Sequence, residues 1–78
     1  MIETLNLLKP ILADIFGVEE AEITPAVLFE ELGADELDLV EVSMNVEEEF
    51  DVLIDDEDFP GIQSVSDLIN YIMRHRND

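Results

Sequence analysis

Residues 33–41 read Gly-Ala-Asp-Glu-Leu-Asp-Leu-Val-Glu, and this stretch indicates where a loop closes and an acidic helix begins. Asp35 suits the N-cap position, because its carboxylate can accept a hydrogen bond from an amide of the first helical turn. Glu36 and Asp38 follow where the positive end of the helix dipole favours negative charge. We therefore predict that the central helix runs from about Glu36 to Phe50.

The length and composition of the chain set limits on the fold. The chain has 78 residues, of which 47% are hydrophobic, and it has no cysteine. A chain of this size can form one small core, so we predict a single domain over residues 1–78 that is stabilised by helix packing, without disulfides. The N-terminus lacks the pattern of a signal peptide, and no apolar run approaches the length of a membrane span. We therefore expect a cytoplasmic protein that does not insert into a membrane.

The charge of the chain is strongly negative, with 21 acidic side chains against three Lys or Arg and a formal net charge of −18. Nucleic acids and anionic lipids would repel the chain, because binding to them relies on clustered basic residues. Proteins with basic patches are favoured as partners, since complementary charge speeds encounter and suppresses wrong partners. We also expect a monomer. An alternative is that the acidity serves only to keep the protein soluble.

The first segment has the apolar spacing of an amphipathic helix. Pro10 interrupts this segment, because proline lacks an amide and its ring crowds the preceding turn. We expect either a kink near residues 6–10 or a helix that starts late, and we expect the helix to end at Gly17. The apolar positions recur at steps of three and four residues: Leu5, Leu8, Leu12 and Ile15.

Residues 18–34 lose this periodicity and predict an ordered loop that is longer than the usual connection. Thr24 suits a cap position and Pro25 the first position after it, so the pair predicts a short turn. Apolar residues are expected to hold the loop against the core: Ile23, Leu28, Phe29 and Leu32.

Residues 51–58 form a dense acidic patch. An EF-hand loop needs oxygen ligands at alternating positions, then a glycine and a distant glutamate, which this stretch does not offer. We therefore expect no shaped metal site here. The acidic residues 55–58 instead predict the start of a short helical turn that Pro60 and Gly61 stop.

The last segment has the clearest helix pattern in the chain. Ser64, with Asp67 three residues later, predicts a capping box, and the helix is expected to run to about His75. His75 is the only histidine, and we expect it to support the negative end of the helix and not to act in catalysis. Apolar residues follow the cap with helical spacing: Val65, Leu68, Ile69, Ile72 and Met73.

The central helix has two apolar stripes, although a helix in a small bundle can bury only one face. One stripe is bordered by glutamates, and we expect it to be the more exposed, as a docking surface that is apolar at its centre and negative at its rim. The alternative is that both stripes belong to the core. The stripe expected in the core consists of Leu39, Val42, Val46 and Phe50. The stripe bordered by glutamates consists of Leu37, Val40 and Met44.

The run from Leu32 to Glu41, Leu-Gly-Ala-Asp-x-Leu-Asp-x-Val-Glu, resembles the helix-opening signature of acyl carrier proteins. Residues 47–51 are similar to the end of that family's second helix, and residues 65–72 to its last helix. The resemblance implies an all-α four-helix bundle of acyl-carrier type, with three main helices, a short third helix and a long loop after helix one. It also implies a face that partner enzymes grip with arginine and lysine. The corresponding residues are Leu37, Val40, Glu41, Met44, Glu47 and Glu48.

Residue 36 departs from the family's pattern. In the family this position is the serine that carries 4'-phosphopantetheine, whose thiol holds an acyl chain, whereas this chain has Glu36. A carboxylate offers no hydroxyl for the phosphodiester, so Glu36 marks the cofactor position and no cofactor is expected on the chain as written. By resemblance, the domain presents acyl chains to basic-surfaced biosynthetic enzymes in fatty acid, polyketide or specialised lipid synthesis, but it cannot be loaded.

A non-carrying module is the alternative function, in which the acidic face binds basic surfaces of partner proteins without a prosthetic group. An enzyme is not expected, because the chain has no cysteine, a single histidine, no phosphate-binding glycine loop and no metal-ligand spacing. We therefore assign no catalytic residue and no metal ligand.

Overall fold

The computed structural model describes residues 2–76. Over that range the chain forms three α-helices and two 3₁₀ turns, and it has no β-strand. The prediction of a small all-α bundle of acyl-carrier type is confirmed, and the second 3₁₀ turn takes the place of the short third helix. The helices are α1 (Ile2–Phe16), α2 (Glu36–Phe50) and α3 (Val65–His75), and the 3₁₀ turns span Glu20–Glu22 and Asp56–Gly61.

The three helices and the loops share one core of apolar side chains. α2 contributes the stripe that was expected there, with Val42, Val46 and Phe50 buried and Leu39 half-buried. Met73 is an exception to the predicted apolar face of α3, because its side chain is exposed. Full burial of one aliphatic side chain stabilises a fold by about 1.5–3 kcal/mol, so this core is the main source of stability. Other fully buried side chains are Leu8, Leu12, Ile23, Val52, Val65, Leu68, Ile69 and Ile72.

α1 runs from Ile2 through Pro10 without a break, so the late start, one of the two alternatives expected at Pro10, is wrong. Pro10 has no amide to offer the carbonyl of Asn6, but both residues are exposed, where water can supply the missing donor. The helix ends as predicted at Gly17, which has a left-handed backbone with φ of 66°. Across this turn the amide of Val18 donates to the carbonyl of Ala13 at 3.0 Å, which satisfies the helix end.

The loop between α1 and α2 is held against the segment that precedes α3. The amide of Phe29 donates to the carbonyl of Gln63 at 2.9 Å, beside an isolated β-bridge between Leu28 and Ser64. Ile23 and Phe29 are buried as expected, but Leu28 is exposed. Neighbouring side chains on extended backbone point to opposite sides, so burial of Phe29 leaves Leu28 facing outward.

Two short turns shape the same loop. The predicted turn at Thr24 forms, with the amide of Val27 donating to the Thr24 carbonyl at 3.2 Å. The 3₁₀ turn at Glu20–Glu22 is a feature that periodicity does not predict, because three residues are too few to show a repeat. In this turn the carboxylate of Glu22 accepts a hydrogen bond from the amide of Glu19 at 2.9 Å.

α3 begins with the predicted capping box. The amide of Asp67 donates to the hydroxyl oxygen of Ser64 at 3.1 Å, and the Asp67 carboxylate accepts from the amides of Gln63 at 3.0 Å and Ser64 at 3.1 Å. The Gln63 amide, followed by that of Ser64, holds the pKa of Asp67 below its ordinary value. At the other end, Nδ1 of His75 lies 2.9 Å from the carbonyl oxygen of Tyr71. This contact supports the expectation that His75 stabilises the negative end of α3.

Candidate functional site

A tight turn leads the chain into α2. Gly33 has a left-handed backbone with φ of 80°, and across it the amide of Ala34 donates to the carbonyl of Phe29 at 3.1 Å. A residue with a Cβ is strained at such a φ, which explains the glycine at this position. The turn fixes the direction from which Asp35 enters the helix.

Asp35 caps α2 as predicted, and Asp38 completes a reciprocal capping box. The Asp35 carboxylate accepts from the amide of Asp38 at 2.9 Å, and the Asp38 carboxylate accepts from the amide of Asp35 at 3.2 Å. The role of Asp38 was not predicted, although an aspartate at the same third helical position was recognised at Asp67 of α3. The two reciprocal hydrogen bonds define the first turn of α2.

Glu36 is the first residue of α2, and it is exposed. Glu36 lies between Asp35 and Asp38 in the sequence, and those two residues make the reciprocal hydrogen bonds of the capping box. Its negative charge lies at the positive end of the helix dipole, which is a favourable location. The Glu36 side chain is therefore presented to solvent from a well-defined backbone.

All six residues that were predicted to meet partners are exposed on α2. The exposed fractions of the apolar members are large: 75% for Leu37, 53% for Val40 and 58% for Met44. The alternative that both apolar stripes belong to the core is therefore wrong. Exposed apolar patches with a polar rim are typical of interaction sites. We call this surface the α2 face, and it consists of Leu37, Val40, Glu41, Met44, Glu47 and Glu48.

A groove opens beside Glu36, between the first turns of α2 and the second 3₁₀ turn. Its lining combines apolar surface with two carboxylates. The two sides of the groove are distant in the sequence, so no linear pattern indicates that they meet. The lining residues are Glu36, Leu39, Val40, Asp56, Phe59 and Pro60.

A buried tyrosine ties the second 3₁₀ turn to α3. The Tyr71 hydroxyl donates to the Asp58 carboxylate at 2.7 Å, and it lies 3.4 Å from the carbonyl oxygen of Leu53. Burial, and then the hydrogen bond to Asp58, raise the pKa of Tyr71, so the phenol keeps the proton that it donates. The ring also stacks on His75, with ring centroids 4.0 Å apart. One wall of the groove is anchored in this way.

The pair Tyr71 and Asp58 was not predicted from the sequence. The available signal is a tyrosine among the apolar positions of α3, because a buried phenol usually finds a hydrogen-bond partner. The identity of that partner depends on how the second 3₁₀ turn packs against α3.

Within residues 2–76, no group of three or more His, Cys, Asp or Glu side chains is placed to hold a metal ion. None of the helices over this range is long and apolar enough to cross a membrane.

The start of α2 does not fit covalent attachment of the phosphopantetheine group that the resemblance implies. Attachment needs a hydroxyl, and residues 33–41 contain no Ser or Thr. The exposed group on the first helical residue is the Glu36 carboxylate, which when ionised has no O–H group. Ser43 is the next hydroxyl along α2, and it is half-buried about two turns further on.

Residues 6–72 match the family model for the phosphopantetheine attachment site, PP-binding. The match extends from α1 into α3, and it includes the α2 face and the groove beside Glu36. Domains of this family carry 4'-phosphopantetheine and interact with biosynthetic enzymes, and they are generally not catalytic themselves. The chain therefore belongs to the acyl carrier protein family of phosphopantetheine-attachment domains.

Proposed function

We propose that this chain is a carrier-type domain of fatty acid, polyketide or specialised lipid synthesis, and that it docks basic-surfaced enzymes through the α2 face. The observation that carries the proposal is the exposure of Leu37, Val40 and Met44 on a helix whose opposite side lies in the core. The apolar centre supplies area to bury, and the glutamates at the rim favour partners of opposite charge.

We further propose that Glu36 occupies the position of the family's attachment serine. The chain as written then holds no arm and presents no acyl chain of its own. Two observations support this assignment: Glu36 is the exposed first residue of α2, and the surrounding residues 32–41 resemble the family's attachment motif. The scaffold and the docking surface of a carrier are retained, while the attachment chemistry is lost.

The variant Glu36→Ser tests the assignment of residue 36. Incubated with coenzyme A and a phosphopantetheinyl transferase that loads an ordinary carrier, it should gain the mass of one phosphopantetheine group in intact-protein mass spectrometry. The chain as written should gain nothing. A matched control is Glu49→Ser, which places a serine at an exposed position near the other end of α2. Absence of modification in Glu36→Ser, or equal modification of Glu49→Ser, would contradict the assignment.

Binding of the unmodified chain to the same transferase tests the docking surface. We expect affinity to fall steeply as salt rises, since charges at the rim of an interface are screened. Reversal of two charges of the α2 face, Glu41→Lys with Glu48→Lys, should weaken binding much more than Glu20→Lys with Glu22→Lys. Both double variants change the net charge equally, and all four positions are exposed. If the two double variants weaken binding equally, net charge alone explains the effect, and docking through the α2 face is refuted.

A docking module that never carries an arm is the second candidate, and the carboxylate of Glu36 on an otherwise complete carrier surface favours it. The two experiments together separate the candidates. Binding through the α2 face with loading of Glu36→Ser indicates a carrier altered at one residue. Binding through the α2 face without loading of Glu36→Ser indicates a module that has diverged further.

A further inference from the structure

Met44 lies at the centre of the α2 face. The other five members of that face are three, four or seven residues away from it along α2. These separations place side chains on one side of a helix, so Met44 has neighbours in both directions along the axis. Its side chain is 58% exposed. A partner that docks on the α2 face therefore covers Met44 in the middle of the contact and not at its rim.

The sulfur atoms of this chain belong to methionine alone, because the sequence has three methionines and no cysteine. A reactive cysteine would compete for an oxidant such as hydrogen peroxide, whereas here the exposed thioethers meet it without that competition. Within residues 2–76 the methionines are Met44 and Met73, and Met73 is 48% exposed. Met73 lies on α3, outside the α2 face. The chain thus contains its own control for oxidation at a different surface.

We propose that Met44 is a reversible oxidation site, and that its oxidation weakens docking through the α2 face. Hydrogen peroxide is the oxidant. The sulfur lone pair forms an S–O bond to one peroxide oxygen as the O–O bond breaks, and the hydroxide that leaves takes the proton of the transferred oxygen and becomes water. The thioether is oxidised by two electrons to a sulfoxide, and the peroxide is reduced. This inference rests on the proposed docking function and adds regulation to the same surface.

The reverse step restores the thioether. Methionine sulfoxide reductases act on the two sulfoxide epimers. Two thiols of a dithiol reductant supply the two electrons and become a disulfide, and the sulfoxide oxygen leaves as water. The modification can therefore be removed without new synthesis of the chain.

The composition of the α2 face explains why a sulfoxide at Met44 opposes docking. A sulfoxide oxygen accepts hydrogen bonds, and a buried acceptor without a donor is costly. The rest of the face consists of two aliphatic side chains and three glutamates, and ionised glutamates are acceptors only. No side chain of the face therefore replaces the water that a partner displaces from the sulfoxide. In the free chain the exposed sulfoxide stays hydrated, so the fold itself is little affected.

Oxidation leaves the charge of the chain unchanged, and this determines which rate constant should respond. Complementary charge at an interface mainly sets the association rate, while loss of contacts in its centre acts mainly on dissociation. We expect Met44 sulfoxide to raise the Kd for a partner about tenfold, through faster dissociation at a nearly constant association rate.

Peroxide treatment of the unmodified chain tests the proposal. Catalase removes the remaining peroxide, mass spectrometry of proteolytic fragments locates the sulfoxides, and surface plasmon resonance measures binding to the phosphopantetheinyl transferase. We expect sulfoxide at Met44 as well as Met73, the tenfold loss of affinity, and its recovery after treatment with both reductases and a dithiol. Unchanged affinity of a chain that carries Met44 sulfoxide would overturn the proposal, as would resistance of Met44 to peroxide that oxidises Met73.

Two leucine variants assign the effect to one methionine. Leucine has a volume similar to that of methionine and no sulfur, and each variant is compared with itself before and after peroxide. Peroxide should leave the affinity of Met44→Leu unchanged and weaken binding of Met73→Leu about tenfold. The opposite pattern, or equal losses in the two variants, would overturn the proposal. A loss of helix content in circular dichroism of the oxidised chain would attribute the effect to unfolding and would overturn it as well.

Charge reversal on the α2 face distinguishes failure of this inference from failure of the proposed function. If Glu41→Lys with Glu48→Lys weakens transferase binding more than its control does, while oxidation of Met44 does not weaken it, the oxidation site is wrong and docking through the α2 face stands. If charge reversal has no more effect than its control, the docking function is wrong and the regulatory role of Met44 falls with it.

Discussion

Removal of one hydroxyl group, in the variant Tyr71→Phe, tests how the second 3₁₀ turn is held against α3. The hydroxyl donates to the Asp58 carboxylate at 2.7 Å, whereas its distance to the Leu53 carbonyl oxygen is 3.4 Å, too long for a strong bond. The ring is retained in the core, so the packing of Tyr71, which is 4% exposed, does not change. The variant therefore removes one hydrogen bond and little else.

The size of the effect follows from the surroundings of the two partners. Asp58 is exposed, so in Tyr71→Phe its carboxylate regains hydrogen bonds to water, and no buried charge is left without a partner. The expected loss is that of a single net hydrogen bond, about 1 kcal/mol. For a domain of this length, this corresponds to a fall in Tm of roughly 4–8 °C.

Urea denaturation followed by circular dichroism measures this loss, with the slope m expected to stay unchanged because the same surface is exposed on unfolding. A double-mutant cycle with Asp58→Ala isolates the pair, and Tyr71→Phe should cost little once Asp58 is absent. The folded-state pKa of Tyr71 is raised above its ordinary value of 10.0, so the protonated hydroxyl stabilises the fold fully below pH 10.0. This stabilisation is lost as the pH rises through the raised pKa. A variant as stable as the original chain, or a coupling energy near zero, would refute the anchoring role.

Two further predictions concern the ends of helices. Asp51 follows α2 with a left-handed backbone, φ 57°, beside the negative end of the helix dipole. The variant Asp51→Gly should therefore stabilise the fold by about 1 kcal/mol, as measured by urea denaturation. Asp51→Asn, which removes only the charge, is the control, and destabilisation by Asp51→Gly would contradict the backbone argument. The pKa of Asp67 is lowered from its ordinary value of 3.8, so the carboxylate stabilises the fold when the pH is above 3.8. This stabilisation is lost as the pH falls through the lowered pKa. The stability difference between the original chain and Asp67→Asn should therefore be largest near neutral pH and shrink in acid, and a difference that is independent of pH would exclude this role.

α2 and α3 were predictable because their capping residues and their apolar repeats indicate the same helices. At α3, the Ser64 cap and the apolar spacing after it indicate the same start, and the structure has both. At α1 the signals conflict, because Pro10 disfavours a helix while the repeat on both sides favours one. The repeat prevails, since burial of Leu8 and Leu12 is worth more than the single hydrogen bond that Pro10 cannot make.

The groove beside Glu36 could not be predicted in the same way. Its two walls belong to different segments, and their juxtaposition depends on how the second 3₁₀ turn packs against α3 through Asp58 and Tyr71. The exposed stripe on α2 was predictable, because helical spacing places Leu37, Val40 and Met44 on one face and the bordering glutamates indicate its exposure. Sequence periodicity thus identifies a surface on one helix, whereas a site between two segments requires the tertiary structure.

The capping box at the start of α2 has a consequence for how this protein can change. Asp35 and Asp38 form the reciprocal hydrogen bonds that begin the helix, and residue 36 between them is exposed. Serine and glutamate are both tolerated at the first helical positions, so exchange of one for the other should leave the fold almost as stable as before. If residue 36 is the attachment position, as we propose, acquisition or loss of a covalent arm is thereby separated from folding. A single substitution would then convert a loaded domain into an unloaded one without a change in the scaffold.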